Sequence, residues 1–210
     1  MKMRLFLLPI ISTALLFFPV TVNAGKPSGT PLIPYSICID AGHGGTDSGA
    51  VNGALNENQV NLDTANLLKD KLEASNKGYT VFMTRTDTTT TMSNADRYNY
   101  CNSQNAAILI SIHHNGSTDS TIDYTTALYM KSSDVALANG VSDSISTTLG
   151  LTKHPIYRYA SGVLIKAKMP AVISEGFFLT NKDEPSLIAN SRLDDEAGAF
   201  LSAINTYFGK

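Results

Sequence analysis

The sequence has little cysteine, little net charge and no apolar run long enough to cross a membrane. Two cysteines in 210 residues are too few for the disulfide framework of a small secreted scaffold. With 16 Lys and Arg against 18 Asp and Glu, the formal net charge is −2, which lacks the basic excess of a nucleic-acid binder. Hydrophobic residues make up 43% of the chain and charged residues only 16%, so a disordered chain is excluded as well. The composition indicates a globular protein with one domain.

The N-terminus has the pattern of a secretory signal peptide. Lys2 and Arg4 precede an apolar run over residues 5–18, which is shorter than the ~20 residues that span a bilayer. The sequence Val-Asn-Ala at 22–24 then gives a small-x-small cleavage pattern. We therefore predict a signal peptide over residues 1–24, with an uncleaved anchor as the alternative. The mature protein is expected to be exported to the periplasm, the cell wall or the extracellular space, without a stable membrane anchor.

The rest of the chain divides into a short lead-in and one domain. Residues 25–34 contain three prolines and two glycines, which is typical of an extended segment. From residue 35 to residue 210, short apolar runs alternate with stretches of helical periodicity. Buried strands are predicted over 35–40, 79–83, 106–112 and 171–174, a weaker strand over 125–130, and helices over 56–74, from 93 through 101, over 134–149 and over 193–208. This alternation predicts an α/β domain with a largely parallel sheet.

Candidate metal ligands lie where the predicted strands end, at the edge where α/β sheets bind ligands. His43 follows the first strand and His113 follows the third. Glu57 lies in the first turn of a helix, on the face that Leu68 buries, where a carboxylate is costly unless it is paired or bound to a cation. Two imidazoles and one carboxylate form the ligand set of a catalytic zinc ion. The alternative is that these residues have only structural roles. In that case His43 caps a turn, the Glu57 carboxylate stabilises the helix N-terminus, and His113 is a core residue whose hydrogen bonds are made within the core.

A second carboxylate, Glu175, directly follows the strand predicted over 171–174. At the same rim of the sheet it would act as general base to a zinc-bound water and then as proton donor to a leaving amine. Zinc would lower the pKa of that water to about 7 and polarise the scissile carbonyl. These roles fit the hydrolysis of an amide.

Residues 37–50, with the sequence ICIDAGHGGTDSGA, closely resemble the opening motif of the zinc-dependent N-acetylmuramoyl-L-alanine amidases. The resemblance continues in order through residues 56–57, 83–85, 97–102, 110–113 and 170–175. It implies one zinc ion per chain, held by His43, Glu57 and His113, with Glu175 as the catalytic glutamate. The implied reaction cleaves the amide between N-acetylmuramic acid and the L-alanine of the peptidoglycan stem peptide. The implied fold is a twisted, mostly parallel sheet with helices on both faces, and residues 35–210 are expected to form this catalytic domain.

The sequence departs from the family pattern at two places. His114 stands between His113 and Asn115, where the family usually has a small residue, and Phe177 stands where glycine is expected. Both changes are expected to alter the substrate pocket more than the metal site. Because side chains alternate along a strand, His114 should point away from His113. We therefore expect it to support the site or to lie on the surface rather than to bind the metal.

Three further residues are candidates for substrate binding. Asn115 and Arg158 are candidate substrate contacts. Arg85 is the third, since a guanidinium binds a substrate carboxylate in a bidentate manner. A structural ion pair with Asp87 or Asp96 is the alternative for Arg85.

Two further pairs of residues are expected to support the domain. Asp40 and Asp47 are interpreted as loop-shaping residues or as hydrogen-bond partners of a zinc-bound imidazole, with metal ligation as the alternative. Cys38 lies in a predicted strand and Cys101 in a predicted helix. Export permits a disulfide between them, but two buried thiols are the favoured interpretation, since free cysteine is commonly buried.

The leading prediction is an exported zinc amidase that acts on peptidoglycan as a monomer, without nucleic acid. One alternative is a zinc peptidase that cuts within the stem peptide. The other is a non-catalytic wall-binding protein, against which Glu175 argues because binding alone needs no general base. No sequence motif marks a surface for an activating partner protein.

Overall fold

The computed structural model describes residues 34–210. The signal peptide predicted over 1–24 and positions 25–33 of the predicted lead-in lie outside the described residues. Among the helices of the described part, none is both long enough and apolar enough to cross a membrane.

Residues 34–210 form eight strands, six α-helices and one short 3-10 helix over Ser132–Asp134. The strands are β1 (Ser36–Ala41), β2 (Val51–Asn52), β3 (Leu55–Asn56), β4 (Thr80–Met83), β5 (Ile108–Asn115), β6 (Thr126–Tyr129), β7 (Tyr157–Arg158) and β8 (Ala171–Phe178). The helices are α1 (Glu57–Ala74), α2 (Asn94–Ser103), α3 (Val135–Leu149), α4 (Gly162–Lys166), α5 (Glu184–Asn190) and α6 (Arg192–Phe208).

Six of the strands form one mixed sheet in the order β4-β1-β5-β8-β6-β7. The strands β4, β1, β5 and β8 run parallel to one another. Strand β6 runs antiparallel to β8 and parallel to β7. The remaining two strands, β2 and β3, form a small antiparallel hairpin just before α1. The prediction of an α/β domain with a mostly parallel sheet is confirmed.

Helices cover both faces of the sheet. Because side chains alternate along each strand, the strands contribute residues to the packing on both faces. Ile37 of β1 and Ile110 of β5 pack with residues of α1, α3 and α6. Cys38, the residue after Ile37, and Leu109, the residue before Ile110, pack with residues of α2 and α4 on the other side of the sheet. We call the first side, marked by Ile37 and Ile110, the supporting face. The second side, marked by Cys38 and Leu109, is the cavity face.

Local sequence signals set the ends of two helices. Ser93 and Asp96 form a capping box at the start of α2, in which the Ser93 hydroxyl accepts from the Asp96 N–H at 3.2 Å and the Asp96 carboxylate accepts from the Ser93 N–H at 2.9 Å. Helix α3 ends at Gly150, which has a φ of 68°, a conformation that favours glycine. Both ends agree with the predicted ones.

The two strands that carry candidate functional residues are longer than predicted. Strand β5 continues to Asn115 and β8 continues to Phe178, because the ladder between them extends through the pair His113 and Glu175. These two residues therefore lie within strands and not in the loops after them. The short elements β2, β3, β7, α4 and α5 were not predicted, since few residues in each carry a periodic signal.

The two cysteines form a disulfide between β1 and α2, so the interpretation of two buried thiols was wrong. Their Cα atoms lie 5.6 Å apart, a separation that a disulfide spans without moving the backbone. The spacing in the sequence carried no information on this distance, which depends on how α2 packs against the cavity face.

We expect reduction of the Cys38–Cys101 bond to lower the free energy of unfolding by roughly 2–4 kcal/mol, since it releases a constraint on the unfolded chain. The measurement is urea denaturation with and without a thiol-free reductant, with thiol titration to show that the bond is broken. The Cys38→Ala/Cys101→Ala variant is the control, because the reductant should not change its midpoint. An unchanged midpoint for the fully reduced native chain would contradict the expectation.

Candidate metal centre

Three side chains converge at the carboxyl-end rim of the sheet. His43 lies in the turn after β1, Glu57 is the first residue of α1, and His113 lies in the last part of β5. One nitrogen of each imidazole and one oxygen of the carboxylate all lie within 4.8 Å of one another. The structure therefore brings together the three residues that the sequence predicts as metal ligands.

These atoms lie close enough together for one metal ion to contact all three side chains. His43 Nε2 lies 3.1 Å from Glu57 Oε2, and His113 Nδ1 lies 3.1 Å from Glu57 Oε1. The Glu57 carboxylate therefore lies between the two imidazoles, with one oxygen beside each. Two imidazoles and one carboxylate are also the protein ligands of catalytic zinc sites that keep a fourth position open.

Hydrogen-bond donors hold both oxygens of the Glu57 carboxylate. Oε2 accepts from the Ala50 N–H at 2.9 Å, and Oε1 accepts from the His114 N–H at 3.1 Å and from Asn61 Nδ2 at 3.3 Å. Burial opposes ionisation of Glu57, but the two imidazoles and the Ala50 N–H outweigh it and hold the pKa of this carboxyl far below its usual value. The site therefore contains a fixed, buried negative charge that stabilises a cation between the imidazoles.

Asp47 orients the imidazole of His43. His43 Nδ1 lies 2.8 Å from Asp47 Oδ2, so Nδ1 donates to the carboxylate and Nε2 faces Glu57. Burial lowers the pKa of His43, but hydrogen bonds to Glu57 and Asp47 outweigh it and raise this pKa to about 9. Asp47 thus makes the hydrogen bond to an imidazole that the sequence predicts, and the carboxylates of Glu57 and Asp47 favour positive charge on the His43 ring.

His113 packs directly against a glycine backbone. A Cβ at Gly42 would collide with the His113 imidazole, so a larger residue at this position would displace the ring. The rings of His43 and His113 meet edge to face, with their centroids 4.8 Å apart. The glycine after β1 therefore gives the two imidazoles room to approach each other.

A buried ion pair holds the turn that carries His43. Arg97 Nη1 donates to Asp40 Oδ1 at 2.8 Å and to the Ala41 carbonyl at 2.9 Å, and Nη2 donates to the His43 carbonyl at 2.7 Å. Burial opposes ionisation of Asp40, but Arg97 and a hydrogen bond from Ser111 outweigh it and hold the pKa of Asp40 below its usual value. Asp40 shapes the loop, as predicted. The role of Arg97 was not predicted, because its partner lies in another element.

Glu175 lies opposite His113 in the sheet. Strands β5 and β8 pair these two residues directly, and paired side chains of neighbouring parallel strands project from the same face about 5 Å apart. Both residues line a cavity of about 430 Å³, together with His43. Burial raises the pKa of the Glu175 carboxyl. The arrangement places a carboxylate of increased proton affinity beside the candidate metal ligands.

The other walls of this cavity combine polar and apolar side chains. Leu128 of β6 and Ile173 of β8 provide apolar surface, and Asn94, Tyr159 and Ser161 provide polar groups. Sequence analysis did not identify Asn94, Leu128 and Ser161, since they come from α2, β6 and the segment before α4 and share no motif.

Arg85 does not line the cavity and is only 3% exposed. Its guanidinium donates to the carbonyls of Ala41 at 2.8 Å, Gly42 at 2.7 Å and Asn58 at 2.7 Å. These contacts support neither predicted role, which were a substrate contact and an ion pair with a nearby aspartate. Arg85 instead joins the loop after β1 to the first turn of α1, because carbonyl oxygens left free by that loop need donors.

The two other predicted substrate contacts also lie outside this cavity. Asn115 Oδ1 accepts from the Gly116 N–H at 2.8 Å. Arg158 lies on the exposed edge strand β7, donates to the Met130 carbonyl at 3.2 Å and lines a separate surface depression. The structure does not bring Asn115 or Arg158 to the candidate metal ligands, because β5 and β7 direct them elsewhere.

His114 is buried on the supporting face, opposite to His113, and is not a surface residue. Its Nδ1 lies 2.7 Å from Asn61 Oδ1, and its Nε2 lies 2.9 Å from Glu196 Oε2. Sequence analysis missed Glu196 entirely. One signal was available, because Glu196 interrupts the apolar stripe that Leu193 and Phe200 form along the last helix.

Comparison with known proteins identifies the family. Residues 37–206 match the family Amidase_3, described as N-acetylmuramoyl-L-alanine amidase. The chain belongs to this family. The match covers every candidate ligand and Glu175, so the predicted resemblance is confirmed.

Individual amidases are similar to this chain in sequence and in structure. The chain is 32% identical to N-acetylmuramoyl-L-alanine amidase LytC of Bacillus subtilis (strain 168) over 182 residues, which are 85% of this chain and 36% of LytC. It therefore spans about a third of the length of that relative. The catalytic domain of the amidase CwlV from Bacillus (Paenibacillus) polymyxa var. colistinus superposes with a TM-score of 0.78 at 29% identity, covering 83% of this chain and 98% of that domain. An N-acetylmuramoyl-L-alanine amidase from Clostridium difficile 630 also gives a TM-score of 0.78, at 31% identity, with 84% and 97% covered.

We expect about one zinc ion per chain in the purified protein and almost none in a His113→Ala variant, because two remaining ligands hold zinc far more weakly than three. The measurement is metal content by plasma mass spectrometry after dialysis. A His154→Ala variant, changed at a histidine that stacks on Tyr124 outside the ligand set, is the matched control and should retain zinc. Absence of zinc from the native chain, even after zinc is added, would contradict a metal centre here.

We expect Arg97→Met to lower the free energy of unfolding by roughly 3–5 kcal/mol at pH 7, since it leaves the buried Asp40 carboxylate without its cation. The lowered pKa of Asp40 stabilises the native fold above the unfolded pKa of ~3.9, and this contribution is lost as the pH falls through the folded pKa. In the variant Asp40 takes up a proton more readily, so the deficit should shrink between pH 7 and pH 4. Urea denaturation of the native chain and the variant at both pH values measures the difference in the free energy of unfolding. An equal difference at pH 7 and pH 4 would refute the role of the Asp40 charge.

Proposed function

We propose that this chain hydrolyses the amide bond between N-acetylmuramic acid and L-alanine in peptidoglycan. The observation that carries the proposal is the cluster of His43, Glu57 and His113 within 4.8 Å of one another, beside a cavity that Glu175 also lines. Membership in the N-acetylmuramoyl-L-alanine amidase family supports the choice of bond. The predicted signal peptide would bring the enzyme to the compartment that contains this substrate.

His43 Nε2, His113 Nδ1 and the Glu57 carboxylate would hold one zinc ion per chain. When bound, zinc supplies a Lewis acid that lowers the pKa of a water molecule and polarises a carbonyl. Other groups of the chain hold these side chains in place. Asp47 orients one imidazole at 2.8 Å, and the hydrogen bonds from Arg97 hold the turn that carries it.

Glu175 would move the proton in this reaction. Its carboxylate accepts a proton from the attacking water and then delivers it to the amine nitrogen of L-alanine as the bond breaks. A proton shuttle works best when its pKa lies near the working pH, and burial raises the pKa of Glu175 in that direction. Its place opposite His113 keeps the carboxylate beside the atoms that react.

The walls of the cavity suit the groups on either side of the scissile amide. Leu128 and Ile173 offer apolar surface to the methyl groups of the lactyl ether and of L-alanine. Asn94 offers an amide group that pairs with a peptide bond. Tyr159 lines the same cavity and is 55% exposed, so its ring gives a sugar an aromatic face at the mouth. We propose these residues as substrate contacts in place of Arg85, Asn115 and Arg158.

The product of digestion separates this function from the alternatives. Purified sacculi treated with the enzyme should release stem peptides that carry a free amino group on L-alanine, as read by mass spectrometry. A zinc peptidase would instead leave L-alanine on the sugar, and a wall-binding protein would release nothing. Either of these two results, from a protein that contains zinc, would overturn the proposal.

We expect Glu175→Gln to lower kcat for this release by roughly 10²–10⁴-fold, because glutamine cannot carry the proton, while zinc content remains about one per chain. The matched control is Glu184→Gln, which changes another buried glutamate that lies outside the cavity and should leave kcat nearly unchanged. If Glu175→Gln retains more than a tenth of the native kcat, Glu175 is not the proton shuttle.

A further inference from the structure

A buried polar pair lies directly behind the candidate metal centre, on the supporting face. The side chains of His114 and Glu196 are both 0% exposed, and His114 Nε2 lies 2.9 Å from Glu196 Oε2. Taking an imidazole and a carboxylate out of water costs free energy that apolar side chains of similar volume avoid, and replacement of such pairs by apolar residues is often neutral. Stability alone therefore does not account for these two residue types.

The amide of Asn61 connects this pair to the metal ligand Glu57. Asn61 Nδ2 donates to the Gly42 carbonyl at 3.1 Å and to Glu57 Oε1 at 3.3 Å. Both of those oxygens only accept hydrogen bonds, so the orientation of the amide is fixed and its Oδ1 faces the other way. Oδ1 lies 2.7 Å from His114 Nδ1. An oxygen acceptor at this distance requires a proton on Nδ1, and His114 is therefore the donor.

Glu196 fixes the direction in which the His114 ring points. Its carboxylate contacts Nε2, which leaves Nδ1 directed at Asn61. The carboxylate also packs tightly on the strand that carries Glu175, because a Cβ at Gly176 would collide with Glu196 Oε1. The ring of His114 contacts the Phe177 ring with the centroids 4.2 Å apart. The contacts with Asn61, Glu196 and Phe177 together fix the orientation of the imidazole.

We propose that His114, held by Glu196, is a positioning residue that keeps Asn61, and through it Glu57, in the orientation that binds zinc. The inference rests on the proposed function, since it concerns the metal of that same site. The backbone N–H of His114 also donates to Glu57 Oε1, but this contact does not depend on the side chain. The hydrogen bond of the His114 side chain reaches Glu57 through Asn61, so substitution of the side chain separates it from the backbone contact.

The test compares zinc affinity in variants that separate positioning from stability. In His114→Leu/Glu196→Leu both partners become apolar, so no charged group is left buried without its partner, and the free energy of unfolding falls only by the hydrogen bonds that Asn61 and Thr64 lose. Asn61 nevertheless loses its donor. We expect the zinc Kd, measured by competition with a chromophoric chelator, to rise by roughly 10–100-fold, as for other lost supports of metal ligands.

Two further variants make the comparison specific. In His114→Asn the side-chain Nδ2 stands near the position of His114 Nδ1 and still donates to Asn61, so the zinc Kd should stay within about threefold of the native value. Glu184→Gln changes a different buried glutamate, which pairs with Arg192 at 2.8 Å. It should lower stability without a change in zinc Kd.

The outcomes distinguish this inference from the proposed function. If the double variant binds zinc as tightly as the native chain, the positioning role is wrong and the amidase proposal is unaffected. If zinc affinity falls as expected but the native protein releases no stem peptide, the positioning role stands and the amidase proposal fails. If the native chain binds no zinc, both are overturned.

Discussion

A buried carboxylate at the start of α1 is the constraint on which the candidate metal centre depends. Glu57 is 4% exposed, and a carboxylate so far from water is stable only when donors or cations surround it. Its donors come from separate parts of the chain, since the Ala50 N–H precedes the helix and the His114 N–H belongs to β5. The fold that satisfies Glu57 therefore also sets the two imidazoles beside it, and the requirements of folding and of metal binding coincide.

The sheet separates the reacting groups from the groups that support them. On the cavity face His113 and Glu175 project from paired positions of β5 and β8, and one residue further along β5 the His114 side chain enters the supporting face. Successive side chains of a strand point to opposite faces of the sheet, so neighbouring residues of β5 necessarily lie on different sides. A buried ion pair on the cavity face, Arg97 with Asp40, supports the turn of His43 from the other direction.

Much of the fold was predictable, because apolar runs and helical periodicity mark the long elements of this chain. The three candidate ligands were predictable as a group, since the two histidines come from the ends of predicted strands and Glu57 from the first turn of a predicted helix at the same rim. Partners that lie far apart in the sequence were not predictable. Arg97 meets Asp40, and Cys38 meets Cys101, only after α2 packs on the sheet. The backbone contacts of Arg85 were missed for the same reason, because charge patterns along a chain do not show which carbonyls lack donors.

The place of Glu196 has a consequence for modular engineering of cell-wall hydrolases. This glutamate lies near the start of α6, yet its carboxylate packs against Gly176, the neighbour of Glu175. The last helix therefore packs directly behind the proposed reaction centre, although it carries none of the groups proposed to react. A fusion to a targeting module should join the chain beyond Phe208, where α6 ends. A junction placed before α6 would separate the strand of Glu175 from the helix that packs behind it.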